Sequence, residues 1–481
     1  MESMDMNWIG ESHRMRIRLC LFALLSLSTL IFAEFENIRL TNTVYYNGEP
    51  SLFVLGDTVA VAYESYEFGN DEIMLLRSLN GGENFSAPIR ITTTDSASWR
   101  PKVFVNDGCD IIYEDKLTGA REVFYRRYDA SGLGLQIKIS SGSVYSAFPA
   151  LTGHGRDLYV VWEDGRNGND EIYFRKYEGS AWSAEKRLTT NDSTSWGADI
   201  AFDESNSRLH VVFFDYRTGN DEVYYMTSSD NGENFSSALN LSNDAANSWE
   251  PRVAAAGGKV AVVWYGWRPD LTAYEVYCVR KTGGSFSVPQ VVSLLGADSK
   301  CPAVSVSDSG IVVSWEDYGD GNDEIYIAFQ RWAENEWKIT RVTSEGHDSF
   351  GSDVMLAGSF AHVVWFDYRD GVDQIYFASG NWQTISTEKV VSLVSPLIRL
   401  FPNPIASTSQ LLVGLPDGNA ILEWMLCDPL GRVVNRSVEL NSLNKPASHF
   451  RVDLAGCPPG CYFLKGSLRD HTRFSRPITI K

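Results

Sequence analysis

Short apolar runs alternate with clusters of Gly, Asn and Asp along most of the chain. One example is Val160 to Asp164, an apolar run that ends aromatic then acidic. It is followed by Glu171 to Lys176 and by the shorter Lys186-Arg187-Leu188-Thr189. Alternation over four to eight residues between turn-forming clusters predicts β-strands. No long amphipathic helix pattern occurs after residue 33, so the expected class is all-β. A motif sets the larger period. Asn-Asp-Glu-Ile/Val-Tyr is clearest at Asn169 to Tyr173, Asn220 to Tyr224 and Asn322 to Tyr326. Its glutamate position recurs at Glu72, Glu122, Glu171, Glu222, Glu275, Glu324 and, as glutamine, Gln374, at intervals of 50, 49, 51, 53, 49 and 50 residues. Each interval divides into four strands, the first opening on a Ser-Trp-x-Pro-like segment such as Trp249-Glu250-Pro251-Arg252-Val253. Four antiparallel strands in a repeat of this length describe a propeller blade.

The fourth-strand pattern occurs seven times: Ile38 to Thr41, Ile89 to Thr92, Ile137 to Ser140, Arg187 to Thr189, Leu239 to Ser242, Val291 to Ser293 and Arg341 to Thr343. The first copy precedes the first full set of strands one to three, and the last set, Gly351 to Ala378, lacks one. The expectation is a seven-bladed β-propeller over residues 34–384, closed by its N-terminal strand. Closure removes a long exposed edge, and a solenoid would not predict this offset.

Two turns between strands three and four are near copies. They are Ser78-Leu79-Asn80-Gly81-Gly82-Glu83-Asn84-Phe85 and Ser228-Ser229-Asp230-Asn231-Gly232-Glu233-Asn234-Phe235. The Asx side chain can satisfy backbone N–H groups, glycine supplies positive φ, and the aromatic returns to pack between sheets. Ser78, Asn80, Gly82 and Phe85, like Ser228, Asp230, Gly232 and Phe235, resemble the Asp-box (BNR repeat) of sialidase-like propellers. Degenerate copies keep the aromatic at Trp182, Phe286 and Trp337. The resemblance implies a structural turn on the face away from the ligand site.

The opposite face holds the loops between strands two and three and those from strand four to the next blade. Asp164 with Arg166, Asp215 with Arg217, and Asp367 with Arg369 share one frame there, joined by Arg268. These pairs would either stiffen their hairpins or contact a ligand. Asp317, Asp320 and Asp323 stand at three-residue spacing; Ca2+ is a third use of such carboxylates, although no strict Asp-x-Asp-x-Asp loop occurs. Trp99, Trp196, Trp249 and Phe350 share another frame at the start of first strands. They would be wedges between blades or platforms for sugar rings. No other cofactor or metal motif is present.

Resemblance to sialidases would imply an arginine triad gripping a carboxylate, a Tyr-Glu nucleophile pair and an aspartate acid/base. The Arg-Ile-Pro segment that carries the first triad arginine is missing; Pro88-Ile89-Arg90-Ile91 belongs to a fourth strand. Arg100 and Arg252, on first strands, are the remaining candidates to grip a carboxylate. Glycoside cleavage also needs two carboxyls flanking one bond, and no carboxylate departs from the repeat. No catalytic residue is assigned. The expectation is a glycan- or protein-binding propeller, with a sialidase-like glycoside hydrolase as the alternative.

The chain termini add a route out of the cell. Arg14, Arg16 and Arg18 precede an apolar run from Leu19 to Ala33, which reads as a secretory leader over residues 1–33, with Met15 an alternative start. No later run is long enough to span a membrane. The chain carries −19 overall; the leader balances, and residues 397–481 hold ten Lys/Arg against six Asp/Glu, which leaves −23 between them. Such a segment repels nucleic acid. Beyond the leader, Cys109, Cys278, Cys301, Cys427, Cys457 and Cys461 form no disulfide framework, though Cys457 and Cys461 could pair with each other or with Cys427.

After a linker over 385–398, residues 399–481 read as a small β-sandwich. Arg399-Leu400-Phe401-Pro402-Asn403-Pro404, Cys427-Asp428-Pro429-Leu430-Gly431-Arg432, Pro459-Gly460-Cys461-Tyr462-Phe463 and the terminal Ile478-Thr479-Ile480-Lys481 follow in order. Together they resemble the C-terminal sorting domain of type IX secretion substrates. That resemblance implies the outer-membrane secretion machinery as a partner, and a secreted or cell-surface location of Gram-negative type.

Overall fold

A computed structural model describes residues 35–382, apart from 143–144, 270, 320 and 345, together with short segments between 399 and 480. The leader, the linker and Cys457 lie outside the described residues, as do the side chains of Cys427 and Cys461. All regular structure described is β-strand. Seven sheets of four antiparallel strands form the repeat region, the second with one extra short strand. Their first strands are Asn47–Leu55, Ser98–Val105, Ser146–His154, Ser195–Asp203, Ser248–Ala256, Ser299–Val306 and Ser349–Ala357; blades are numbered 1 to 7 in this order. Each first strand packs against the first strands of both neighbours, so the seven surround a central channel.

Ring closure follows the offset read from the sequence. Ile38–Arg39 pairs antiparallel with Gln374–Asn381 as the outer strand of blade 7, with Ile38 opposite Phe377 and Arg39 opposite Tyr376. Side chains reinforce the join: the Ile375 N–H donates to Thr41 Oγ1 at 2.9 Å, and the Thr43 N–H to Gln374 Oε1 at 3.0 Å.

The core lies between adjacent blades. Second strands place Trp162, Trp264, Trp315 and Trp365 at one frame, all buried, each stacked on a third-strand tyrosine at a centroid distance of 5.9 Å. Burying an indole contributes roughly 4–6 kcal/mol of transfer free energy before ordering costs. The Asn-Asp-Glu motif explains why the period is so regular. Asn70 donates to Glu72 and to the Thr94 and Ser96 carbonyls, tying down the loop to the next blade. Asn169 and Asn220 do the same. The glutamate then holds the fourth strand, as in Arg90 to Glu72 at 2.7 Å.

The turns that resemble the Asp-box are hairpins of the expected kind. Ser228 Oγ donates to Asp230 and accepts from the Gly232 N–H at 2.9 Å, while Asp230 accepts from the Asn234 N–H at 2.9 Å. Ser78, Asn80, Gly82 and Asn84 repeat the pattern. Phe235 and Phe85 reach back edge-on to Phe174 and Phe377 of the preceding blades, each 5.2 Å away. Residues 399–480 supply a three-stranded and a four-stranded antiparallel sheet.

Candidate functional site

The channel mouth is built from a feature common to all seven blades. Each first strand carries a β-bulge after its second residue. The bulged residue has positive φ in every blade: Glu49, Arg100, Phe148, Gly197, Glu250, Cys301 and Gly351, at 48°, 49°, 50°, 58°, 49°, 50° and 57°. Five of these are not glycine, and such backbone costs of order 1 kcal/mol or more each unless its surroundings hold it. At four of the seven, glutamates on second strands do the holding. The N–H groups of Arg100, Phe148, Gly197 and Gly351 donate to Glu64, Glu114, Glu163 and Glu316 of the preceding blades at 2.6–2.7 Å. Burial pushes the Glu64 and Glu163 carboxyls up to about 8 and Glu316 to about 7, and raises Glu114.

Behind the mouth the channel is a cavity of about 980 Å3 lined by first-strand residues. Lys102, Asp199, Arg252 and Asp353 share one level in it. Asp199 accepts the Val253 N–H and Asp353 the Leu52 N–H, both at 2.8 Å, and Arg252 donates to the Pro251 carbonyl at 3.1 Å.

The loop Asp-Arg pairs are closed on themselves. Asp164, Asp215 and Asp367 are buried, and each accepts from Arg166, Arg217 or Arg369 two residues on and from Ser146, Ser195 or Ser349. Each guanidinium also lies over a third-strand tyrosine, 4.2–4.4 Å from the ring centre. In the same way Trp99, Trp196 and Trp249 donate their indole N–H to Asp71, Asp170 and Asp221 of the preceding blade, which makes them blade-to-blade ties. Among the described residues no three His, Cys, Asp or Glu side chains group as metal ligands. Asp317 is engaged by Ser299 and Trp315, and Asp320 lies outside the described residues. Cys109, Cys278 and Cys301 are free thiols.

One place departs from this scheme. The aspartate that precedes the motif glutamate is Asp71, Asp170, Asp221, Asp323 and Asp373 in five blades, but Arg121 in blade 2. Arg121 Nε lies 3.3 Å from Glu114 Oε2, and Arg100 NH1 lies 3.5 Å from the same oxygen. The Arg100 guanidinium stacks over Phe148 at 4.2 Å; Arg121 faces Trp99 at 5.1 Å and Tyr145 at 5.9 Å. Both guanidiniums keep solvent access, their side chains being 35% and 26% exposed, whereas Glu114 has none. One buried carboxyl faces two guanidiniums, and the nearby Glu64 and Glu163 are largely protonated near neutrality. The mouth at blade 2 therefore presents two part-exposed guanidiniums beside aromatic rings in an acidic propeller. Of its members, the sequence reading named Trp99 and Arg100 and missed Arg121, Tyr145 and Phe148.

No protein-family model and no curated protein matches the sequence. Solved structures do match in fold. The chain is similar to a polysaccharide lyase of a new family, PL25 ulvan lyase, at 9% identity and a TM-score of 0.54, covering 71% of this chain and 95% of that one. The same lyase bound to -[GlcA(1-4)Rha3S]- matches at 8% identity with the same score and coverage. An intramolecular trans-sialidase from Ruminococcus gnavus matches at 12% identity and a TM-score of 0.42, covering 70% and 95%. At these identities the lyase match shows the fold alone, a β-propeller over the repeat region.

Proposed function

We propose that this is a secreted or cell-surface propeller that binds acidic glycan at the channel mouth, through Arg100 and Arg121. The charge reversal at Arg121 carries the reading. Aspartate holds this frame in five blades, and its replacement by arginine places two guanidiniums on a single buried carboxyl. A ligand carboxylate or sulfate supplies the missing negative charge, and guanidinium suits either group in a bidentate fork. Phe148, Tyr145 and Trp99 offer the apolar wall a sugar ring needs. Ulvan lyase, the fold neighbour bound to a glucuronate- and sulfate-bearing chain, agrees with this ligand class.

The reading is one of binding, without catalysis. The buried glutamates whose raised pKa values would suit acid–base work recur in four blades, each committed to a neighbour's backbone N–H, and a role that recurs in this way is scaffolding. Export by a type IX-like pathway belongs to the same proposal and rests on the leader and the C-terminal landmarks; deleting residues 399–481 should then leave the propeller inside the cell envelope.

Titration of the mature protein with sialyllactose, oligogalacturonides and ulvan fragments tests the site. Binding of at least one acidic set, lost about tenfold or more in Arg121→Gln, is expected, since a hydrogen bond to a charged group contributes about 1.5–3 kcal/mol; circular dichroism of the variant checks that the propeller is still folded. Equal binding by the variant would remove Arg121 from the site. Turnover of any probe would overturn the non-catalytic part and favour the hydrolase alternative.

A further inference from the structure

Blade 5 breaks the repeat in a second way. Its central hairpin is the longest of the seven, with strands Lys259–Arg268 and Ala273–Lys281 of 10 and 9 residues, where the other blades have 7 or 8. At the frame of Arg121 it carries Tyr274, and the next blade answers with Lys300, whose ammonium lies 4.5 Å from the Tyr274 ring centre. The usual aspartate–tryptophan tie is replaced here by a cation–π pair. The extended hairpin and the loop entering blade 5 enclose a cleft of about 560 Å3, lined by Trp249, Trp267, Asp244, Asn247 and Arg268. Trp267 is braced edge-on by Tyr274 at 5.0 Å, so its orientation is set in advance.

Trp267 also belongs to a series. The residue directly after the second-strand Asp frame is Tyr66, Tyr216, Trp267, Tyr318 and Tyr368 in five blades. The four tyrosines are 47%, 51%, 50% and 48% exposed. The residues that build these blades are buried and tied to neighbours, whereas a half-exposed aromatic repeated on one face serves contact rather than folding.

We propose that the cleft at Trp249 and Trp267 is a second glycan subsite, taking a further pyranose ring of the polysaccharide whose acidic unit sits at Arg100 and Arg121. Stacking on indole supplies the apolar contact, and Asp244, Asn247 and Arg268 surround it with groups for ring hydroxyls. The flanking Tyr216 and Tyr318 extend the aromatic face for further units of the chain. This subsite rests on the acidic-glycan reading for the identity of the chain, but not for its own aromatic chemistry.

The test is calorimetry on the mature protein with ulvan disaccharide, tetrasaccharide and octasaccharide, alongside neutral cellohexaose. Affinity should rise with chain length. Trp267→Ala should abolish about tenfold of that rise and leave the disaccharide affinity as in the parent; Trp267→Phe should restore part of it. Tyr318→Ala, at an exposed position, is the second variant should the first fold poorly, and it should lower octasaccharide affinity only. Cellohexaose binding that needs Trp267, without any acidic preference, would sustain the subsite and sink the reading of the mouth. Length-independent affinity, octasaccharide binding untouched by both alanine variants, or no binding of any probe would overturn the subsite.

Discussion

Trp196 donates its indole N–H to Asp170 across the junction between blades 3 and 4, at 3.1 Å. Trp99–Asp71 and Trp249–Asp221 repeat the tie at 2.9 and 2.8 Å. Trp196, which could have been a sugar platform, thus belongs to the joint between sheets. Trp196→Phe keeps the wedge but leaves a half-buried carboxylate without its donor. The expected cost is about 1–2 kcal/mol, seen as a lower denaturant midpoint, with glycan affinity unchanged.

The closing strand makes a second prediction. Removing residues up to Tyr45 would take away Ile38–Arg39, the Thr41 and Thr43 bonds and the Arg39–Asp370 ion pair at 2.8 Å. The outer edge of Gln374–Asn381 would then be bare, and bare edges recruit other chains. Size-exclusion chromatography should show concentration-dependent association, and the melting temperature should fall; a monomer that melts like the parent would refute this account of closure.

Glycine is required at two of the seven bulges for a local reason. A Cβ on Gly351 would lie 2.5 Å from the Phe366 ring, and one on Gly197 would lie 2.6 Å from Phe214. In blade 2, where the bulged residue is Arg100, the second strand carries Glu114 in place of the ring. Gly351→Ala should cost about 2–4 kcal/mol from backbone strain plus overpacking. Adding Phe366→Glu, the combination found in blade 2, should recover part of the loss in chemical denaturation.

The raised carboxyls give a pH signature. Glu64, Glu163 and Glu316 keep their protons in the folded protein up to about 8, 8 and 7, against an ordinary value of 4.5. The folded state therefore binds more protons than the unfolded state in between, and stability falls as pH rises from about 5 to about 8. Each group contributes a slope of about 1.4 kcal/mol per pH unit while its two states differ. The depressed Asp164, Asp215 and Asp367, held down by their arginines, act at the other end and lose stability below the usual carboxylate range. Melting temperature against pH should peak near 5, and Glu163→Gln should flatten the alkaline limb. Ionisation of Glu64 and Glu163 also adds negative charge beside Arg100, so acidic-glycan affinity should weaken between pH 7 and 9.

The blades were legible because their period is written in buried, mutually tied residues: the motif asparagine, aspartate and glutamate each hold a different neighbour, so the pattern survives in most blades. The offset that closes the ring needed only counting. The ties themselves were not legible, since Asp170 and Trp196 stand 26 residues apart in different sheets and nothing local joins them. Nor did Glu49, Arg100, Phe148, Glu250 or Cys301 announce positive φ; glycine at 197 and 351 was the only hint. Arg121 was overlooked for a different reason. Arg166, Arg217, Arg268 and Arg369 recur in one frame, whereas Arg121 is informative because it replaces a recurring aspartate. The same comparison of frames would have picked out Tyr274 and Trp267.

The ring of bulges has a consequence for how such a protein can change. Because a neighbouring blade's carboxyl grips the backbone N–H, and not the side chain, at Arg100 and Phe148, such bulge positions are exchangeable slots on a common chassis. The present set spans two acids, a base, a ring, a thiol and two blanks. New ligand preferences can therefore arise one slot at a time, without renegotiating the architecture that presents them.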